Sequence, residues 1–217
     1  MLSKKEGLSM QYSIKEEKAN AITHGIGVVL SIAALVLLIT QACAHGNAWH
    51  IVSFSIFGTA LVLLYSCSTL LHSVTESKTK DIFEVLDHSA IYVLIAGSYT
   101  PYLLVTLRGA LGWTFFGVIW GLALIGIVLK LFYVKRFVLV STLCYIVMGW
   151  LIVIAFKPLY AQLPLGGIVW LVAGGLFYTL GSIFYVWRRI PYHHAIWHVF
   201  VLAGSACHFI SVFGYVR

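Results

Sequence analysis

The sequence predicts an all-α integral membrane protein of seven transmembrane helices, with its amino terminus cytoplasmic and its carboxyl terminus external. Three observations predict it. Of 217 residues, 61% are hydrophobic, and the mean hydropathy is +0.96, more apolar than a soluble domain tolerates. The apolar residues form continuous runs long enough to cross a ~30 Å hydrocarbon layer as helices, without the period-two alternation of a barrel. Finally, 14 Lys and Arg are spread unevenly, almost all of them on one side of that topology.

Residues 1–19 read as a polar cytoplasmic tail without the features of a cleavable signal. The seven-helix domain follows over 20–217, with spans at about 20–43, 49–72, 85–106, 112–131, 137–156, 165–187 and 193–215. Lys4, Lys5, Lys15 and Lys18 precede the first span. Lys78 and Lys80 follow the second, Lys130, Lys135 and Arg136 the fourth, and Arg188 and Arg189 the sixth. Only Arg108, Lys157 and Arg217 fall on the opposite side. An even number of spans breaks this alternation. The net charge of +7 therefore belongs to membrane orientation. Membrane lipids are the expected partners and nucleic acid is excluded.

Cys43, Cys67, Cys144 and Cys207 are isolated in apolar runs and read as packing residues. Trp49, Trp113, Tyr133, Tyr160 and Trp187 lie at span ends and read as interfacial anchors. Pro101 is expected to kink the third span, with the Ser98 and Thr100 hydroxyls satisfying freed carbonyls.

The chemistry concentrates at one depth. His194 and His198 open the last span four residues apart, so both imidazoles share one helix face. His72 ends the second span and Asp87 begins the third, which brings residues of three helices to the cytoplasmic level. Three histidines and a carboxylate suit a catalytic zinc site, with water in the fourth position. The bland reading is a hydrogen-bonded cluster that pins helix ends together. Ser68, one turn before His72, is placed to orient that ligand or a bound water. Asp87 is either a direct ligand or, as we favour, the acceptor of a hydrogen bond from that water.

Glu17, Asn20 and His24 form a supporting polar cluster on one helix face. Glu17 and Asn20 also suit a helix start, whereas His24 faces the bundle interior. His45 and His50 read as solvated, and His88 and His193 point about 100° away from their neighbours. His208 reads as a satisfied core histidine, and the ionisable residues as gathered at one end, with apolar outer halves.

Taken together, Glu17-x2-Asn20-x3-His24, Ser68-x3-His72, Asp87, Tyr99-Thr100-Pro101 and His194-x3-His198 resemble the hemolysin III family, the bacterial branch of the progestin and adipoQ receptor superfamily. The resemblance covers residues from 16 onward. It implies a zinc ion held by His72, His194 and His198, with Asp87 near its water, and a cytoplasmic amino terminus. Eukaryotic relatives look like ceramidase-type lipid-amide hydrolases as well as receptors. The bacterial name reflects a proposed cytolytic activity. Three functions follow as expectations: a zinc-dependent hydrolase of membrane lipid amides or esters, a pore-forming cytolysin, and a non-catalytic sensor of membrane lipid state with structural zinc.

Overall fold

The structure is a computed structural model and describes residues 12–217; Lys4, Lys5 and most of the expected polar tail lie outside those residues. All described secondary structure is helical. The helices are α1 (Ile14–His45), α2 (Ala48–Ser73), α3 (Ser77–Pro101), α4 (Ala110–Tyr133), α5 (Val138–Trp150), α6 (Phe156–Gln162), α7 (Leu165–Val186) and α8 (His193–Tyr215). A π-helical turn, Tyr102–Thr106, continues α3, and a 3₁₀ turn, Leu151–Ala155, joins α5 to α6. Seven segments are long and apolar enough to span a membrane.

Helix starts follow local chemistry. Ser13 accepts from Glu16 N while the Glu16 carboxylate bonds back to Ser13 N. This capping box starts α1 at Ile14, so Asn20 does not cap it, and the expected span start at residue 20 lies well inside the helix. Glu76 opens α3 by accepting from Lys78 N at 2.9 Å and Thr79 N at 2.7 Å. Those bonds hold its carboxyl below the ordinary carboxylate range. Asp87 consequently sits nearly three turns into α3 rather than at its start. Asn47 and His50 cap α2 reciprocally. The His50 ring is therefore buried against Phe54, not solvated as expected.

Pro101 is the last residue of α3. The chain widens beyond it, and Leu107 N donates to Tyr102 O at 2.7 Å. Ser98 and Thr100 bond Ile95 O and Ala96 O instead of the Gly97 carbonyl that the proline frees. Gly109, at φ +131°, makes the turn into α4 that a side chain rarely permits. The fifth helical segment runs to Gln162, beyond the expected residue 156, because α6 continues it past the 3₁₀ turn.

Among the spans, α2 and the α3 segment are central, with 56% and 67% of their most apolar stretches buried, against 22% for α1, α4 and the α5–α6 segment. Lipid does not drive helices together by excluding water, so close backbone approach matters. A Cβ on Gly97 would stand 2.8 Å from Ala60 Cβ, which locks α3 against α2. In addition, α1 packs on α2 and α8, α3 on α4, and α7 on α8, whereas α5 touches α3 and α7 only sparsely. That loose seam encloses a cavity of about 180 Å³ bounded by α3, α5, α7 and α8.

Candidate metal centre

His72 comes from the last turn of α2, and His194 and His198 come from the first turns of α8. Tyr192 begins α8 at φ +58°, and its N–H donates to Glu16 Oε1 at 3.1 Å, tying that start to α1. One ligand atom from each of His72, His194 and His198 lies within 4.8 Å of the others, and all three residues are buried.

The partners of the other ring nitrogens set the tautomers. His72 Nδ1 lies 2.6 Å from Glu17 Oε2, and a carboxylate only accepts, so Nδ1 carries the proton and Nε2 the lone pair. His72 Nε2 is buried without a partner. His198 Nδ1 lies 3.2 Å from Asn20 O and 3.0 Å from Thr23 Oγ1. Thr23 gives its own hydrogen to Ala19 O or Asn20 O, so His198 Nδ1 donates and its Nε2 is freed. His194 Nδ1 is likewise buried and unpartnered. For His72 and His198 the nitrogen opposite the free lone pair is anchored by a carboxylate or a carbonyl, the arrangement of metal-ligating histidines. The donor set fits a divalent ion such as zinc.

Asp87 and Ser68 line the same cavity, the carboxylate next to the Ser68 hydroxyl and His72. Asp87 stands outside the group of mutually close ligand atoms. His24, from α1, stacks on His198 with ring centroids 3.4 Å apart and planes 10° apart. Both of its ring nitrogens lack a hydrogen-bond partner, as does the Asn20 side chain one turn earlier. Glu17 also pairs with Lys80 at the start of α3. Of the expected site residues, His72, His194, His198, Asp87, Ser68, Glu17 and His24 thus meet at one end of the bundle, and Asn20 contributes through its backbone carbonyl.

Sequence reasoning missed Tyr12. Its ring lies 5.2 Å from that of His194, 5.7 Å from His193 and 6.2 Å from His72, covering the histidines at the amino-terminal end of α1. Burial pushes its phenol pKa up. Position 12, two residues before an apolar run, carried no periodic signal that separated it from the tail. His88 and His193 are satisfied elsewhere, by Glu84 O and Tyr185 OH and by Phe184 O respectively. The half of the bundle away from these histidines is not purely apolar: Tyr65 and Tyr178 converge on Ser205, and His208 lines the cavity.

Comparison with known proteins matches residues 12–209 to a family described as "Haemolysin-III related". The chain is 62% identical over 204 residues to "Hemolysin-3 homolog" of Bacillus subtilis (strain 168), covering 94% of this chain and 96% of that one. It is 56% identical over 207 residues to "Hemolysin-3" of Bacillus cereus, covering 95% and 94%. It is also 30% identical over 210 residues to the human "Monocyte to macrophage differentiation factor", covering 93% and 84%.

Proposed function

The chain belongs to the hemolysin III family of multi-pass membrane proteins, and from that premise we propose that it is a zinc-dependent hydrolase of membrane lipid amides or esters, working at the cytoplasmic side. One observation carries the reading: a buried set of three histidine nitrogens lies beside an apolar cavity that also receives a buried carboxylate.

His72, His194 and His198 would hold the ion, and when bound it supplies a Lewis acid and an acidified water. Asp87, buried at the same end of the cavity, is the carboxylate that would hold a proton there. Ser68 lines the cavity beside Asp87, and Glu17 fixes the His72 ring through Nδ1. The cavity reaches from His194 to His208, 14 residues along α8, or ~21 Å of helical rise. The predominantly apolar lining over that length suits an acyl chain. Where polar groups occur in the outer half, most are satisfied by the protein itself, unlike the polar rings that line pores.

The test is metal content of detergent-purified protein by mass spectrometry, beside His72→Ala and His198→Ala, followed by a lipid screen. One zinc per chain, lost in both variants, together with cleavage of an acyl amide or ester, is the expected result. Zinc-loaded protein that cleaves no ceramide, phospholipid or acyl amide would falsify the hydrolase reading.

A further inference from the structure

Three helices place a second set of residues at one level of the cavity. On α8, His208 follows His194 by 14 residues; along α3 and its π-helical turn, Tyr102 follows Asp87 by 15; on α7, Leu171 precedes Tyr185 by 14. All six line the cavity, so the two sets stand ~21 Å apart along the bundle.

Between those levels the polar groups facing the cavity are satisfied by the protein. Tyr99 OH bonds the Met148 and Gly149 carbonyls, Ser98 bonds Ile95 O, Thr179 bonds Gly175 O, and Tyr178 bonds Ser205. At the far level two groups are not: the Tyr102 hydroxyl and His208 Nδ1. His208 Nε2 lies 3.2 Å from Leu171 O. A carbonyl only accepts, so Nε2 carries the proton and Nδ1 offers a lone pair. Tyr102 OH lies beside Ser211, one turn beyond His208 on α8. Both rings are held: Tyr102 is 1% exposed, and His208 rests on Gly174, where a Cβ would stand 2.2 Å from its Cδ2.

Buried polar atoms without partners are rare and call for an explanation. We propose that Tyr102 and His208 form a distal subsite for a hydroxyl carried near the end of an acyl chain. A hydroxyl donates to His208 Nδ1 and accepts from Tyr102, which satisfies both with one group. The proposal rests on the reading of the cavity as an acyl-chain site, and it narrows the ligand to single chains hydroxylated far from their carbonyl. An extended palmitoyl chain matches the ~20 Å between the two levels.

Native mass spectrometry of the full-length chain in detergent, with palmitate, α-hydroxypalmitate or ω-hydroxypalmitate at equal concentrations, tests this without any requirement for turnover. The ω-hydroxy acid is expected to bind roughly tenfold more tightly than the other two. Tyr102→Phe, which removes only an oxygen, and His208→Phe should each abolish that preference and leave palmitate binding in place. Equal affinity for all three acids overturns the distal subsite and spares the acyl-chain reading. Failure of all three to bind overturns both. A preference that survives in both variants assigns the hydroxyl elsewhere and also overturns the proposal.

Discussion

Glu17 and His72, 55 residues apart in sequence, meet through one carboxylate oxygen and one ring nitrogen at 2.6 Å. The second carboxylate oxygen is occupied by Lys80. The acid therefore joins α1 to α2 and α3, and it decides which nitrogen of the His72 ring is left with a lone pair.

Glu17→Gln keeps the shape and removes the charge. Outer partners of metal-ligating histidines are typically worth ~10–100-fold in affinity. The variant is expected to bind one zinc per chain with affinity reduced by that amount, as read by competition against a chromogenic chelator. Lys80→Ala, one bond further out and partly exposed, should shift affinity less than Glu17→Gln.

Asp87→Asn separates metal holding from proton handling. Because Asp87 stands outside the histidine group, the variant should retain zinc. Loss of the proton acceptor should lower kcat by roughly 10²–10⁴-fold. Metal analysis beside turnover of an acyl-amide substrate checks both halves.

His24→Phe tests an apparent contradiction, a buried imidazole with no hydrogen-bond partner stacked on a ligand. Replacing an unsatisfied polar ring with an apolar ring of similar shape is near neutral or stabilising. The melting temperature in detergent should hold or rise. A fall in zinc affinity without a fall in melting temperature would show that the ring nitrogens serve the metal centre.

Two glycines of α4 make opposite predictions. A Cβ on Gly126 would meet the Tyr92 ring at 2.3 Å, whereas Gly117 has nothing within 4 Å. Gly126→Ala should cost about 1–3 kcal/mol through overpacking. Gly117→Ala should gain about 0.5–1 kcal/mol by restricting the unfolded backbone. Thermal unfolding of the two variants, side by side, measures the difference.

The histidines were legible in the sequence because span ends give depth and the 3.6-residue period gives a face. Those two coordinates bring His72, His194 and His198 to one level. They do not say which helices touch. The contacts of Glu17 with His72, of His24 with His198 and of Tyr65 with Ser205 cross α1–α2, α1–α8 and α2–α8 boundaries, and only packing order reveals them. The polar outer level was missed for the same reason. His208 is a single polar residue in an apolar run and looks like a satisfied core group until its partners are counted. His50 was misjudged because its capping geometry depends on where α2 begins.

At 32 residues, α1 is ~48 Å long, well beyond the ~30 Å of a bilayer's hydrocarbon. The charged first turns, with Lys15, Glu16, Glu17 and Lys18, extend the helix beyond what the hydrocarbon layer requires. Glu17, in those turns, holds His72 at the same end of the bundle. The helix thereby acts as a ruler laid across the leaflets. On the proposed hydrolase reading, bilayer thickness would set how far a lipid carbonyl travels to reach the histidines, so membranes of different acyl composition would present one lipid at different distances.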